Sequence, residues 1–110
     1  MTYGNGGRLK LLYNGIMSGL LPISHFHLSN HALLEMTRRQ IVEKEVSRVL
    51  ASPGQIELIR PGRAIYQSKI KTGKPSKVYL LRVFVDIDRD PPEVVTVYRT
   101  SKIEKYWRQV

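Results

Sequence analysis

Hydrophobic positions divide the chain into a helical first half and a strand-rich second half. After Ser29 and Asn30, either of which can cap a helix start, apolar residues recur at helical spacing and predict a helix over about residues 30–39. A second helix is predicted from Glu43, with acidic residues in the first turn where the helix dipole favours them, to a stop at residues 52–54. The predicted apolar faces consist of Ala32, Leu33, Met36, Val46, Val49 and Leu50.

The second half has the alternating and continuous apolar runs that are typical of β-strands. Such runs lie between turn residues at about residues 55–59, 64–70, 78–86 and 93–98. Ser101 can cap a short terminal helix over residues 102–108. Because short links between consecutive strands favour an antiparallel meander, we expect an α+β fold. In it, two N-terminal helices pack on a four-stranded antiparallel sheet that is followed by a short C-terminal helix.

We assign residues 28–110 to this domain and residues 1–27 to a flexible or amphipathic N-terminal extension. Leu9, Leu12 and Ile16 recur at helical spacing in the extension, but polar and glycine residues interrupt the pattern. The broken apolar centre argues against a secretory signal, and the segment lacks the ~20 nearly unbroken apolar residues of a membrane span. A packed helix, a partner-binding arm and a disordered leader all remain open.

Composition excludes several classes of function. The chain has 110 residues, which is the size of one domain, and it has no cysteine. The lack of cysteine excludes a disulfide framework, an iron–sulfur cluster, a cysteine zinc site and a thiol nucleophile. It also fits a reducing compartment, so we expect a cytoplasmic protein.

Charge points to a polyanionic partner. Eighteen Lys and Arg residues face nine Asp and Glu residues, which gives a formal net charge of +9. The densest basic stretch is residues 55–75, and such a surface attracts phosphate groups. The alternative is that the charge serves solubility alone. As residues that contact nucleic acid we predict Arg60, Lys69, Lys71 and Lys74.

No motif predicts a metal or a cofactor. His25, His27 and His31 are close in sequence but lack the spacing of ligands on one helix face. The alternation of Asp86, Asp88 and Asp90 resembles the start of a calcium loop, but Pro91-Pro92 stand where that loop needs glycine. No phosphate-binding glycine loop is present either. We therefore predict neither a metal nor a cofactor.

The remaining side chains suit RNA cleavage without a metal. This reaction needs a base for the 2′-hydroxyl, cations for the phosphate charge and an acid for the leaving oxygen. His31 can serve as acid or base because its pKa is near neutral, and Tyr66 and Tyr98 can stack on a base or pass a proton. Rigidly held cations on predicted strands or strand ends are Arg63, Lys69, Arg82 and Arg99.

Several short motifs occur over about residues 28–108. They are His31-Ala32, Met36, Arg39, Ile41, Glu43-Lys44-Glu45-Val46, Pro53, Arg60-Pro61-Gly62-Arg63, Tyr66, Leu81-Arg82-Val83 and Val95-Thr96-Val97-Tyr98-Arg99-Thr100-Ser101-Lys102. Together they resemble a widespread prokaryotic family of small domains of unknown function, which is distantly similar to the BrnT and RelE toxins. The chain departs from the family at Leu34, where an arginine is common, and at Gln40, where glycine is common.

The resemblance implies a fold, an activity and a partner. RelE-like toxins have helices packed on an antiparallel sheet, cleave RNA with basic and aromatic side chains, and are covered by a cognate antitoxin. The positions it implies as catalytic are His31, Arg63, Tyr66, Arg82, Tyr98, Arg99 and Lys102. Our leading hypothesis is a metal-independent endoribonuclease of a toxin–antitoxin system. The alternatives are a noncatalytic RNA-binding or protein-binding module and a structural accessory domain.

Overall fold

The computed structural model describes residues 20–109 and has an α+β architecture. Its elements in chain order are β1 (His27–Leu28), α1 (Asn30–Arg39), α2 (Glu43–Ala51), β2 (Gln55–Arg60), β3 (Arg63–Thr72), β4 (Lys77–Asp86), β5 (Glu93–Thr100) and α3 (Ile103–Tyr106). The four predicted strands and the three predicted helices are present. The helical pattern noted in residues 1–19 lies outside the described residues.

Polar side chains and backbone set the limits of the two longer helices. The Ser29 hydroxyl accepts a hydrogen bond from the Ala32 N–H at 3.0 Å and so caps the start of α1. α1 ends at Gln40, which takes the left-handed backbone with φ of 57° although it is not glycine. At the start of α2, the Glu45 carboxylate accepts the Val42 N–H at 3.4 Å. Among residues 20–109 no helix is long and apolar enough to cross a membrane.

The sheet has five strands in the order β1-β5-β4-β3-β2. β2 to β5 form the antiparallel meander that the short connections predict. The additional strand β1 pairs in parallel with β5, with His27 opposite Glu93 and Leu28 opposite Val94. The sheet is therefore mixed, although its four long strands are antiparallel.

The main core lies between the helices and one side of the sheet, which we call the helix face. Side chains from α1 and α2 meet alternate residues of the strands there, as expected for the two-residue period of a strand. Its fully buried or nearly buried members include Ala32, Met36, Val46, Val49, Leu50, Ile56, Ala64, Tyr66, Leu81, Val83, Val85, Val94 and Val97. The side chains between them on the strands point to the opposite side, which we call the outer face.

Residues 20–27, which the sequence analysis assigns to the extension, pack on the domain. Leu20 and Ile23 are buried in the main core. The Ile23 N–H donates to the Leu50 carbonyl at 2.8 Å, and the Tyr66 hydroxyl donates to the Leu21 carbonyl at 2.5 Å. The family-like domain is thus completed by a segment that precedes it in the sequence.

We predict that Tyr66→Phe lowers the free energy of unfolding by about 1 kcal/mol at neutral pH, because the Leu21 carbonyl loses its donor. Burial raises the pKa of Tyr66 to about 12. Since the unfolded tyrosine ionises near pH 10, ionisation favours the unfolded state above that pH. The difference between wild type and Tyr66→Phe should therefore narrow from pH 9 to pH 11 in denaturant titrations.

The control is Tyr79→Phe, because the Tyr79 hydroxyl forms no hydrogen bond with the residues that the structure describes. Its loss of stability at neutral pH should be small. A constant difference between wild type and Tyr66→Phe from pH 9 to pH 11 would contradict a buried, protonated Tyr66.

Candidate functional site

Four polar side chains cross the outer face in one row, each from a different strand. In the sheet register, Gln55 lies opposite Gln67, Gln67 opposite Arg82, and Arg82 opposite Tyr98. Directly opposite residues of antiparallel strands place their side chains on the same face. The four residues, which we call the polar row, therefore extend from β2 to β5.

Hydrogen bonds join the polar row into one chain. The Gln67 Nε2 donates to Gln55 Oε1 at 2.8 Å, and Gln67 Oε1 accepts from Arg82 Nε at 2.9 Å. Arg82 Nη1 donates to the Tyr98 hydroxyl at 2.7 Å. Gln67 is fully buried and Arg82 is only 6% exposed, so these bonds replace contacts with water.

The C-terminal residues 103–109, which we call the strap, run across the polar row and bind it through their backbone. Gln67 Nε2 donates to the Tyr106 carbonyl at 3.1 Å. The Gln55 side-chain amide forms two hydrogen bonds with the Arg108 backbone. Its Nε2 donates to the Arg108 carbonyl at 2.7 Å, and its Oε1 accepts from the Arg108 N–H at 3.1 Å. The short helix α3 therefore lies on the outer face, opposite to α1 and α2.

Side chains of the strap hold it in place at one end. The Trp107 ring lies so close to Gly54 that an added Cβ there would be 2.9 Å from the ring. The Lys69 Nζ lies 4.4 Å from the centroid of the same ring, which is a cation–π distance. Arg108 forms an ion pair with Glu57. Trp107 is the single tryptophan of the chain and therefore reports on the strap.

At the other end of the polar row, two tyrosines surround the buried arginine. The Arg82 Cζ lies 4.2 Å from the Tyr106 ring centroid and 5.7 Å from that of Tyr98. The two rings are 6.4 Å apart and meet edge to face. The nearby Tyr98 hydroxyl, then Lys105 and the charge of Arg82, hold the pKa of Tyr106 below its ordinary value despite partial desolvation.

An open groove of about 530 Å³ lies beside this cluster. Arg82 forms part of its wall and is joined there by the strap and by the outer face of β2 and β3. The lining residues are Glu57, Ile59, Ile65, Arg82, Lys105, Tyr106, Trp107, Arg108 and Gln109. The lining therefore combines apolar and aromatic side chains with the cations Arg82 and Lys105 and with the ion pair of Arg108 and Glu57.

Of the predicted catalytic residues, the structure brings together Arg82 and Tyr98. Lys102 is exposed at the start of α3, between β5 and the strap. The predicted nucleic-acid contacts Arg60, Lys69, Lys71 and Lys74 are all exposed. Lys69 packs on the strap, and Lys71 shares its strand and face.

The other predicted catalytic residues lie apart from Arg82 and have structural partners. Tyr66 is in the main core, where its side chain is 1% exposed. Arg63 Nε donates to Asp86 at 2.7 Å, and this bond holds the pKa of Asp86 below its ordinary value. Arg99 Nη2 donates to the Arg39 carbonyl at 2.8 Å and satisfies the C-terminal end of α1.

His31 is exposed in the first turn of α1 on the helix side of the sheet. His31 affects the nearby Glu35 electrostatically. The pKa of Glu35 lies below its ordinary value chiefly because Arg39 donates a hydrogen bond to it, and His31 lowers this pKa to a lesser extent. No group of three or more potential metal ligands occurs within residues 20–109. His31 is thus separate from the polar row and belongs to no metal cluster of the described chain.

Sequence reasoning did not identify Gln55, Gln67, Lys105 and Tyr106. The two glutamines lie at strand positions where a polar side chain ordinarily faces water. Their residue type therefore did not indicate that they would be buried in a hydrogen-bonded row. A register prediction that places Gln67 opposite Arg82 and Gln55 opposite Gln67 would have found them. For Lys105 and Tyr106 the indication in the sequence is weak, namely that the aromatic pair Tyr106-Trp107 lies between a lysine and an arginine.

Comparison with known proteins identifies a family. Residues 28–99 match the family described as Domain of unknown function (DUF4258), which covers most of the chain, and the chain belongs to this family. No curated protein and no solved structure matches the chain.

We predict that Gln67→Leu releases the strap. Arg82 Nε and the Tyr106 carbonyl lose a buried partner, which should lower the free energy of unfolding by about 1–3 kcal/mol. The emission of Trp107 should shift to longer wavelength under native conditions as the ring becomes hydrated. Lys71→Leu, at an exposed position of the same strand and face, is the matched control. An unshifted Trp107 emission in folded Gln67→Leu would show that the strap does not depend on the polar row.

Proposed function

We propose that this member of the DUF4258 family is a metal-independent endoribonuclease of the toxin type, with its reaction centre at Arg82, Tyr98, Tyr106 and Lys105. The observation that carries the proposal is the state of Arg82. Its guanidinium is nearly buried, lines the groove, and forms no salt bridge with any Asp or Glu within residues 20–109. A charge in this state calls for an anion as partner.

Buried cations are ordinarily paired, because an unpaired ion loses its hydration without compensation. The guanidinium has five N–H donors, and the described residues accept one from Nε and one from Nη1. The remaining donors suit the oxygens of a phosphate, which arginine binds in a planar, two-point geometry. The ring face of Tyr106 and the Tyr98 hydroxyl compensate the charge in part, and a phosphodiester in the groove would supply the anion that residues 20–109 do not.

The neighbouring groups fit the cleavage of RNA at that phosphate. The 2′-oxygen attacks the adjacent phosphorus, the new 2′-O–P bond forms as the P–O5′ bond breaks, and the products are a 2′,3′-cyclic phosphate and a 5′-hydroxyl. Tyr106, with its lowered pKa, accepts the proton of the 2′-hydroxyl. Lys105 donates a proton to the 5′-oxygen, and Arg82 stabilises the charge on phosphorus.

Tyr98 connects these groups. Its hydroxyl accepts from Arg82 at 2.7 Å, and its ring meets that of Tyr106 edge to face at 6.4 Å. Because Tyr98 is on β5 and Arg82 on β4, the backbone ladder of the sheet fixes their separation. Tyr98 thus contacts both the cation and the proposed proton acceptor.

The surface around the groove supports an RNA substrate. Exposed cations along the outer face and its edges can hold the phosphates of flanking nucleotides, and these are Arg60, Lys69, Lys71, Lys74 and Lys102. The sequence resemblance to the BrnT and RelE toxins favours the same activity. It also implies a cognate antitoxin that covers the site, and a cytoplasmic substrate.

We predict that the wild-type protein cleaves single-stranded RNA in EDTA and leaves DNA of the same sequence intact. Tyr106→Phe removes the proton acceptor alone and should slow cleavage by about a hundredfold or more. Tyr79→Phe, on the helix face, should leave the rate unchanged. The measurement is the cleavage rate of end-labelled RNA, with identification of the 2′,3′-cyclic phosphate.

Other outcomes distinguish the alternatives. Intact RNA with salt-dependent binding would indicate a noncatalytic RNA-binding module, and no binding at low salt would indicate that the charge serves solubility. A loss of cleavage in His31→Ala with full activity in Tyr106→Phe would place the reaction centre on the α1 side.

A further inference from the structure

Next to Arg82 the groove changes from cationic to apolar. Ile65 of β3 is 4% exposed and lies on the outer face, apart from the main core. Ile59 of β2 lies at the register shift between Leu58 and Arg60 and is 43% exposed. Both isoleucines line the groove together with Tyr106 and Trp107. The floor and the strap wall therefore offer flat apolar surface beside a buried cation.

The size and charge of the groove indicate what can occupy it. Its volume of about 530 Å³ is within the range of sites for small molecules, ~300–1,000 Å³. A phosphate ion alone would use Arg82 and Lys105 and leave the exposed Ile59 uncovered. A ligand that fills the groove has an anionic part and a flat apolar part next to each other.

We propose that the groove is a subsite for one unpaired nucleotide of single-stranded RNA. Its phosphate binds Arg82 and Lys105, and its base lies on the exposed Ile59 beside the aromatic side chains of the strap, with the buried Ile65 beneath. The inference rests on the proposed function and adds to it the place where a base of the substrate binds. A base in a duplex is stacked on both faces and paired at its edge, so it is unable to enter the groove without leaving the helix.

The same arrangement gives the two isoleucines different roles. Ile65 is buried, and its replacement would disturb the packing under the strap. Ile59 is exposed, so that a polar residue there changes the ligand surface while the fold is retained. Leu58 is 41% exposed on the same strand and has its side chain on the helix side, opposite Ala64. It is therefore a matched control.

The experiment measures binding to the full chain through the fluorescence of Trp107, which lines the groove. The probes are a short single-stranded 2′-O-methyl RNA, the same strand with one abasic residue, its duplex form, and inorganic phosphate. The methyl group removes the nucleophile, so binding is measured without cleavage. The intact strand should bind about tenfold more tightly than the abasic strand, as loss of one stacked base implies.

Ile59→Ser should weaken binding of the intact strand to the level of the abasic strand and leave abasic-strand binding unchanged. Leu58→Ser should change neither. Equal binding of intact and abasic strands, equal binding of the duplex, or no effect of Ile59→Ser would overturn the proposal. Displacement of the intact strand by an acidic peptide whose own binding depends on Ile59 would assign the groove to a protein partner instead.

The outcome also separates this inference from the proposed function. Base-dependent binding at Ile59 without cleavage of unmodified RNA would support the subsite and refute the nuclease. Cleavage that is equally fast in wild type and Ile59→Ser, on intact and abasic strands alike, would support the nuclease and refute the subsite.

Discussion

The amide of Gln67 is the interaction on which the outer face depends. Its oxygen accepts from Arg82, and its nitrogen donates to both Gln55 and the Tyr106 carbonyl. Because the side chain is fully buried, no water replaces a missing partner, and each of these bonds is stronger than it would be at the surface. One side chain therefore sets the orientation of the arginine and the position of the strap together.

The two faces of the sheet use the same strands for different purposes. The helix face is filled with apolar side chains, and its burial is the main source of stability. The outer face uses part of its area for polar groups, which stabilise the fold only when every partner is present.

Three arginines on the strands differ in the groups that they bind. Arg63 is balanced by Asp86, and Arg99 binds the carbonyls that end α1. Arg82 instead has the neutral partners Gln67 and Tyr98, and we propose that an anion complements it. What distinguishes Arg82 is its set of partners rather than its place on a strand, which all three share.

Much of the fold was predictable because its signals are local. Ser29 and the spacing of Ala32 and Met36 indicate α1, and the continuous apolar run of β4 indicates a central strand, as observed. β1 was not predicted, since two residues carry no periodicity and its pairing with Glu93 and Val94 is nonlocal. The candidate site was predictable in part. Arg82 and Tyr98 follow from residue type, but the conjunction with Gln55, Gln67 and Tyr106 depends on strand register and on the path of the strap. For Tyr66 and Arg99, residue type alone suggested catalysis, but their positions depend on the tertiary structure. The strand register places Tyr66 in the main core, and the packing of α1 on the sheet places Arg99 at the end of that helix.

Because α3 has only four residues, the position of its side chains depends on contacts with the sheet. A helix of four residues has too few internal hydrogen bonds to persist alone, so its position derives from the polar row and from Trp107. Tyr106 and Lys105 are on this segment, whereas Arg82 and Tyr98 are on the rigid sheet. The proposed reaction centre is therefore complete only while the strap is bound. An anion that contacts both Arg82 and Lys105 would bind the closed arrangement selectively, and by mass action it would stabilise the strap. Under the proposed function, substrate binding and assembly of the site are one equilibrium, governed by an arginine that forms no salt bridge within residues 20–109.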